Sequence, residues 1–278
     1  MKSVLVPVEL HSSTDSVFQC ARLAAQFFEG HVEGVPLINR SWESDQYALG
    51  EWIPRVEVYE SRLAEIAEEA GGRFTEAMQD ARKILAASVE RLFTYSFDGS
   101  KTFTDREAAS FARIFDITVV GRPDKGEGKP RHSCAETFLF ESGRPILFAP
   151  PEAPRTLGET IVIAWNQSME AARATAFAMP FLKRAQKVYI LTIEAHNVEG
   201  PSAEQLSSKL ALHGIFPEIV HKQGQKRAAG VAYLEDTAAL GADLMIKGAY
   251  TQSRLREMIF GGATAHILAN AAMPVLMA

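Results

Sequence analysis

The sequence predicts an α/β protein built from two tandem domains, each with a five-stranded parallel sheet and helices on both faces. A length of 278 residues suits about two domains. Near the centre, three prolines within residues 150–154 exclude a helix or a central strand, so residues 149–155 are predicted to be a linker. On both sides of this linker, short β-branched runs alternate with helical patterns, which is typical of parallel sheets with right-handed crossovers. The predicted domains are residues 1–150 and 158–278.

Five strands are predicted in each half from apolar, β-branched runs that are bounded by polar turns. They cover residues 4–8, 32–38, 92–97, 116–121 and 144–149 in the first half, and residues 161–165, 187–194, 218–222, 243–248 and 273–278 in the second. Open parallel sheets bind ligands at the carboxyl ends of their strands. The residues that follow these strands are therefore the first candidates for a site.

Helical periodicity predicts helices between the strands. They are expected at about residues 15–28, 60–88 and 105–114 in the first half, and at about residues 168–184, 202–213 and 227–240 in the second. Gly71 and Gly72 interrupt the pattern of residues 60–88 and are expected to kink that helix. Residues 39–55 form an insertion that has no counterpart in the second half.

The two halves repeat each other most clearly in their later parts. Residues 116–121 (Asp-Ile-Thr-Val-Val-Gly) align with residues 243–248 (Asp-Leu-Met-Ile-Lys-Gly) at an offset of 127. Residues 144–149 align with residues 273–278 at an offset of 129, and each segment has proline in second place. Repeats of this length indicate duplicated domains, because solenoid repeats recur every ~20–50 residues.

Composition and charge exclude several classes of protein. The chain is 47% hydrophobic and 23% charged, as in ordinary globular domains. No apolar run approaches the roughly 18 residues of a membrane span, and the apolar start of the chain ends at Glu9, which is too early for a signal peptide. Cys20 and Cys134 lie 114 residues apart, which favours reduced thiols in a cytoplasmic protein. We therefore expect no membrane partner.

The distribution of charge points to the second half as the better place for an anionic ligand. The whole chain has a net charge of −5, which argues against a nucleic-acid partner. Residues 1–150 carry 17 Lys and Arg against 23 Asp and Glu, whereas residues 151–278 carry 12 against 11. An anion is less repelled by the second, nearly neutral half.

The segment after the predicted strand at residues 243–248 carries the strongest local signal for a ligand. Gly261 and Gly262 come just before an apolar helix. Glycines at such a point let a phosphate approach backbone N–H groups, and the helix N-terminus favours negative charge. Arg254 and Arg256 would add positive charge. A plain strand–loop–helix connection, whose glycines serve turns alone, is the alternative.

The sequence offers no catalytic or metal-binding motif. It has no Gly-x4-Gly-Lys-Ser/Thr loop, and neither half has Gly-x-Gly-x-x-Gly after its first strand. The histidines and the two cysteines have no metal-ligand spacing. No base with a supporting partner is visible beside a nucleophile. We therefore assign no catalytic residues and no metal ligands.

Both halves resemble the universal stress protein domain. Residues 7–12 (Pro-Val-Glu-Leu-His-Ser) and 164–168 (Ala-Trp-Asn-Gln-Ser) are similar to the Val-Asp-Gly-Ser-like turn that follows the first strand of the family. The family's Pro-Val-Leu ending appears at residues 145–147 and 274–276. The resemblance covers nearly the whole chain except the insertion. It implies two tandem flavodoxin-like domains of the adenine nucleotide alpha hydrolase type.

The resemblance also implies that the second half binds ATP or another adenine nucleotide, together with Mg²⁺. In the family, the nucleotide motif is Gly, two residues, Gly, nine residues, and then Gly followed by Ser or Thr. The implied binding residues here are Ala164, Asn166, Ile193, Gly248, Thr251, Gly261, Gly262 and Ala263. Ala164 and the region of Ile193 would flank the base, Asn166 would contact the nucleoside, and the remaining residues would surround the phosphates.

Both halves depart from the family's motif. In the second half, Thr251 replaces a glycine, Gly262 replaces the Ser or Thr, and Asn166 stands where the family usually has Asp. The first half keeps Gly121 but has Asp124 at the second glycine position. It also has Cys-Ala at residues 134–135 in place of Gly-Ser/Thr. We therefore expect the first half to have lost the ligand.

Three functional hypotheses follow. The first is a cytoplasmic stress-response regulator that binds adenine nucleotide in its second domain. The second is an interaction protein of the same family that has lost nucleotide binding and acts through dimeric assembly, and the third is a slow ATPase. The resemblance also implies that the last strands of the two domains pair antiparallel. One chain would then form a pseudo-dimer, and two chains could form a homodimer.

Overall fold

The computed structural model describes residues 1–38, 55–86, 93–223, 227–249 and 262–278. Within these ranges the chain forms ten strands. In the first half they are β1 (Ser3–Val8), β2 (His31–Pro36), β3 (Thr94–Phe97), β4 (Ile117–Gly121) and β5 (Ile146–Ala149). In the second half they are β6 (Thr160–Ala164), β7 (Lys187–Ile193), β8 (Glu218–Lys222), β9 (Leu244–Lys247) and β10 (Val275–Met277).

Helices alternate with these strands. The first half contains α1 (Thr14–Phe28), α2 (Arg55–Ala86), α3 (Asp105–Phe111) and α4 (His132–Glu141). The second half contains α5 (Met169–Leu182), α6 (Ala203–Ala211), α7 (Ala229–Ala239) and α8 (Gly262–Asn270). Short 3-10 turns follow at Ala112–Ile114 and Glu194–His196. Across the helices in the described ranges, none is both long enough and apolar enough to cross a membrane.

All ten strands join one sheet in the order β3-β2-β1-β4-β5-β10-β9-β6-β7-β8. Each half contributes the same order of five parallel strands, so the predicted α/β fold is confirmed. The halves meet where β5 and β10 pair antiparallel, with Leu147 opposite Leu276. The predicted pairing of the last strands is therefore also confirmed. This pairing removes two sheet edges that would otherwise be exposed.

The sheet separates two apolar cores. One core lies between the sheet and the face formed by α1, α2, α5 and α6, and it contains Phe74 and Phe181. The other lies under α3, α4, α7 and α8 and contains Phe138 and Ile267. Strand residues alternate between the cores, as a parallel strand buried on both faces requires. The sheet therefore presents its carboxyl edge, between the two helical layers, to any ligand.

The duplication also appears in how each half starts its fourth strand. The Asp116 carboxylate accepts hydrogen bonds from the backbone N–H groups of Lys2 and Ser3, at the start of β1. The Asp243 carboxylate accepts them from Gly158, Glu159 and Thr160 at 2.9–3.1 Å, at the start of β6. Aspartates that align in sequence thus fix equivalent strands in both halves.

The long helix of the first half differs from its predicted bounds of residues 60–88, since α2 spans Arg55–Ala86. It runs without interruption through Gly71 and Gly72, where the sequence predicts a kink. A Cβ atom at Gly71 would lie 2.8 Å from the ring of Phe97, whereas one at Gly72 would meet nothing within 4 Å. Gly71 therefore lets the helix approach β3. The insertion at residues 39–54 lies outside the described residues.

Candidate functional site

The candidate site lies at the carboxyl edge of β6 and β9, which are neighbours in the sheet. The last residue of β6, Ala164, pairs in register with Lys247, the last residue of β9. Asn166 and Gly248 follow these strands, so the structure brings the two to the same edge. Thr251 and Gly261, which the sequence also assigned to the site, lie outside the described residues.

Two of the predicted base-flanking residues are core residues. Ala164 is 3% exposed and Ile193 is fully buried, and both belong to the apolar core under α7. Tyr233 of α7 packs in this core and points its hydroxyl at the Trp165 carbonyl, 3.4 Å away. Ala164 and Ile193 therefore form the floor beneath the strand ends, and other groups form the surface of the candidate site.

Asn166 lies in a tightly fixed turn between β6 and α5. Its carbonyl accepts a hydrogen bond from Val198 N–H at 3.1 Å, and the indole N–H of Trp165 donates to the Pro201 carbonyl at 2.9 Å. Gln167 adopts a left-handed conformation with φ of 68°. The side chain of Asn166 has one described partner, a long 3.4 Å contact from the Ser168 N–H. Most of the hydrogen-bonding capacity of the Asn166 amide is therefore available to a ligand.

Gly248 is required by packing between β9 and α5. A Cβ atom at this position would lie 2.4 Å from the Ala171 nitrogen and 2.5 Å from the Glu170 carbonyl carbon. The glycine lets the strand end meet the first turn of α5, which Ser168 caps by accepting from Ala171 N–H at 3.2 Å. The absence of a side chain at Gly248 thus permits the close approach of two elements that border the site.

The N-terminus of α8 borders the candidate site. Gly262 is the first described residue of the helix and is exposed, and among the described residues no heavy atom lies within 4 Å of where its Cβ atom would be. Ala263 follows it and is partly exposed, while Thr264 is buried in the first turn. Free backbone N–H groups at a helix N-terminus and the positive end of the helix dipole suit a phosphate. The second half therefore fits an anionic group at this point.

Lys247 adds a cation to this edge, and the sequence analysis did not single it out. Its ammonium group donates to the Gly248 carbonyl at 3.0 Å and lies 3.5 Å from the hydroxyl oxygen of Thr264. Burial lowers the pKa of Lys247 to about 8, against the opposing charge of Glu170. A lysine inside the otherwise apolar strand Leu244–Lys247 is a signal that the sequence could have supplied.

The equivalent edge of the first half is filled by the chain itself. A Cβ atom at Gly121 would lie 2.7 Å from Pro130 and 2.8 Å from the His11 ring. The Gly128 carbonyl accepts from Ser12 N–H at 2.9 Å, which holds the segment after β4 against the turn after β1. The cavity left there has a volume of about 10 Å³, roughly enough for one water molecule. Among the described residues of this half there is no room for a nucleotide.

An arginine neutralises the polar groups of this filled edge. The Arg131 guanidinium pairs with Glu9 and binds the Asp105 carboxylate through two hydrogen bonds of 2.7 and 2.8 Å. Burial raises the pKa of Glu9, and the charge of Arg131 opposes this shift. Burial, with the charge of Arg131, lowers the pKa of His11 to about 4. The polar groups of the first half are thus satisfied by one another.

Neither cysteine has the environment of a reactive thiol. Cys20 and Cys134 are both free and buried. Burial raises the pKa of each thiol, and the charges of Glu9 and Asp105 add to the effect at Cys134. Since the thiolate is the nucleophile, both groups are held in their unreactive form. Within the described ranges, no three His, Cys, Asp or Glu side chains are grouped as they would be around a metal ion.

Comparison with known proteins places this geometry in context. No protein-family model matches the chain. The chain is 26% identical to Universal stress protein Slr1230 from Synechocystis sp. over 169 residues. This match covers 58% of this chain and 57% of that protein. The chain thus spans little more than half the length of this curated relative. The resemblance to the universal stress proteins is confirmed.

Solved structures extend the likeness in fold to both halves. A universal stress protein from Archaeoglobus fulgidus DSM 4304 superposes with a TM-score of 0.67 at 18% identity, over 99% of this chain and 94% of that one. A protein of unknown function from Pseudomonas aeruginosa PAO1 gives a TM-score of 0.58 at 13% identity, over 99% and 92%. The chain therefore has the universal stress protein fold along its whole length.

Proposed function

We propose that this chain is a tandem universal stress protein that binds one adenine nucleotide, at the carboxyl edge of its second half. The observation that carries the proposal is the asymmetry between two duplicated edges. In the first half, His11, Pro130 and Arg131 fill the edge. In the second half, the described residues leave the position of a Cβ atom on Gly262 without a neighbour within 4 Å, and Lys247 supplies a cation beside the first turn of α8.

The proposed roles follow from the position of each group. Asn166 contacts the nucleoside through its side-chain amide, and the backbone N–H groups of Gly262 and Ala263 receive the phosphates. Gly248 keeps the first turn of α5 close to the strand end. Thr251 and Gly261 belong to the site on the strength of the motif alone. Any Mg²⁺ arrives with the nucleotide and is held by the phosphates.

The biological role we propose is that of a cytoplasmic, ligand-dependent stress-response regulator. A ligand that binds one conformation better than another shifts the population of the two states, and this is how binding without chemistry regulates a protein. Because β5 and β10 already pair within the chain, each molecule forms a pseudo-dimer of its two halves. A homodimer of chains would use other surfaces.

Calorimetric titration with ATP tests the proposal, with Gly262→Asp as the disrupting variant. The added carboxylate would repel phosphate. The fold should stay intact, because no described residue crowds the position of a Cβ atom on Gly262 and an acid is favourable at a helix N-terminus. We expect wild type to bind ATP and Gly262→Asp to lose at least about tenfold in affinity, as loss of roughly 1.4 kcal/mol implies.

Ser133→Asp is the matched control. Ser133 is exposed in the first turn of α4, the helix of the first half that corresponds to α8. The variant adds the same charge in the first turn of the corresponding helix, so it should leave ATP affinity unchanged. Equal losses in both variants would place the ligand elsewhere. No heat and no thermal shift at millimolar ATP would rule out nucleotide binding by wild type.

The second candidate function is an interaction protein without a nucleotide. The filled edge of the first half favours it, because one of the two duplicated sites already serves as structure. On this hypothesis, Gly262→Asp leaves partner binding intact. The slow-ATPase alternative requires phosphate release by wild type above the level of the Gly262→Asp variant.

A further inference from the structure

Lys247 occupies an unusual position for a lysine. It is the last residue of β9, whose other residues, Leu244, Met245 and Ile246, are buried in the cores. Its ammonium group lies at the carboxyl edge of the sheet, 3.0 Å from the Gly248 carbonyl and 3.5 Å from the Thr264 hydroxyl oxygen. A buried apolar residue would complete this strand, so the lysine requires another explanation.

The surroundings of Lys247 oppose a positive charge. Gly248 packs on the first turn of α5, and Thr264 lies in the first turn of α8, so the ammonium group lies near the positive ends of two helix dipoles. The negative charge of Glu170, which is 7% exposed in the first turn of α5, offsets part of this cost. Across the described part of the chain, no ion pair joins Lys247 to a carboxylate. An anion at this point would relieve all of these costs together.

The duplicated half provides an internal comparison. At the offset of 127 that aligns the two fourth strands, Lys247 corresponds to Val120. Val120 is 5% exposed and lies in the apolar core. The half whose edge is filled by its own side chains thus has valine at this position. The other half has lysine, and the ammonium group lies beside the first described turn of α8.

We propose that Lys247, together with the hydroxyl of Thr264, binds the phosphate groups of the ligand and selects nucleoside phosphates over nucleosides. The proposal rests on the proposed function and adds a specificity residue to it. A lysine ammonium binds phosphate as a point charge with three donors, one of which is already directed at a carbonyl. Thr264 supplies a hydroxyl in the first turn of α8, where the motif has lost the one expected at Gly262.

The test compares ATP with adenosine by calorimetry in wild type, Lys247→Met and Lys183→Met. Methionine keeps the length of the side chain and suits the apolar surroundings, so Lys247→Met should fold, as its thermal unfolding will show. We expect this variant to lose at least about tenfold in ATP affinity, the effect of one charge-assisted contact, with adenosine affinity unchanged. Lys183→Met removes the same charge at the exposed C-terminal end of α5 and should change neither affinity.

The outcomes separate this inference from the proposed function. If Lys247→Met lost equal affinity for ATP and adenosine, or lost no affinity for ATP, Lys247 would not contribute to phosphate recognition. Either result would overturn the inference. If wild type binds neither ligand, the proposed function fails, and inorganic tripolyphosphate becomes the probe. Binding of tripolyphosphate that disappears in Lys247→Met would support the inference without the nucleotide. No binding, or binding that survives in Lys247→Met, would overturn it.

Discussion

At the scale of single residues, His11 in the filled edge of the first half makes the stability of the fold depend on pH. Its Nδ1 accepts a hydrogen bond from Ser13 N–H at 3.1 Å, which a doubly protonated ring cannot do. Burial and the nearby charge of Arg131 lower its pKa to about 4, whereas an unfolded chain titrates near 6.5. Between these values the unfolded state binds a proton that the folded state does not. Stability therefore falls as the pH decreases from about 6.5 to about 4.

His11→Asn tests this linkage. The asparagine carbonyl can accept from Ser13 N–H as Nδ1 does, but it does not titrate. Urea unfolding at pH 7.5 and pH 4.5 should show that wild type loses more stability than the variant, by on the order of 2 kcal/mol. Glu9 and the other acids titrate in both proteins, so the difference isolates His11. Identical losses in the two proteins would show that the ring does not control this part of the pH dependence.

At the scale of elements, the glycine pair inside α2 gives two opposite predictions. Gly71→Ala places a methyl group 2.8 Å from the Phe97 ring, which packs on Phe74 with centroids 5.7 Å apart. We expect this overpacking to cost roughly 1–3 kcal/mol. Gly72→Ala enters open space in a helix interior and should add up to about 1 kcal/mol through helix propensity. The urea concentrations at the midpoints of unfolding measure both changes in stability. Equal stabilities of the two variants would contradict the close contact between α2 and β3.

The elements themselves were largely predictable from the sequence. Apolar runs between polar turns identified the strands, because burial on both faces of a parallel sheet leaves a continuous apolar pattern. Five of the six predicted helix starts lie within two residues of the observed ones, and α2 starts about five residues before its predicted start. Ser168 and Ser202 mark two of these starts, because they are caps whose side chains accept from the first turns of α5 and α6. The function of Gly71 was missed because its reason is a contact with Phe97, which no local pattern contains.

The candidate site was less predictable, for a similar physical reason. The motif predicts a site at the edge near Gly248 and Gly262, but it could not show that Ala164 and Ile193 are buried in the core. Nor could it show that Arg131, 122 residues from Glu9 in sequence, fills the first edge. Such pairings depend on the tertiary fold. A charge inside an apolar strand, as at Lys247, is a further local signal that the sequence contains.

At the scale of the whole molecule, contacts in the sheet and on both of its faces join the two halves. The backbones of β5 and β10 pair in the centre of the sheet. On one face, Phe27 of α1 stacks on Phe181 of α5 with ring centroids 5.6 Å apart. On the other, the Arg122 guanidinium, which is 9% exposed, donates to the Leu268 carbonyl of α8 at 2.9 Å. The helix that carries the open end of the candidate site is thus held at its other end by the first half.

Arg122→Met, a substitution in the first half, should lower the stability of α8 in the second half. Leu268 is in the last turn of α8, where carbonyls lack helical partners and a cation interacts favourably with the dipole. Burial lowers the pKa of Arg122, and among the described residues its Nε atom has no hydrogen-bond partner. The cost of desolvating the guanidinium therefore offsets part of the free energy gained from the hydrogen bond to Leu268. Breaking the bond leaves the Leu268 carbonyl without this donor, so we expect a net loss of about 1–2 kcal/mol and faster amide exchange in α8.

Arg113→Met is the control for this effect. Arg113 donates to the Glu141 carbonyl at 3.1 Å, at the end of α4, so it makes the same kind of contact at the equivalent helix within one half. That contact is exposed, and its loss should cost less than about 0.5 kcal/mol and leave amide exchange in α8 unchanged. If Arg122→Met also left amide exchange in α8 unchanged, α8 would be held in place by the second half alone. If Arg122→Met accelerates exchange in α8 and Arg113→Met does not, the first half helps to hold α8, the helix that we propose binds the ligand.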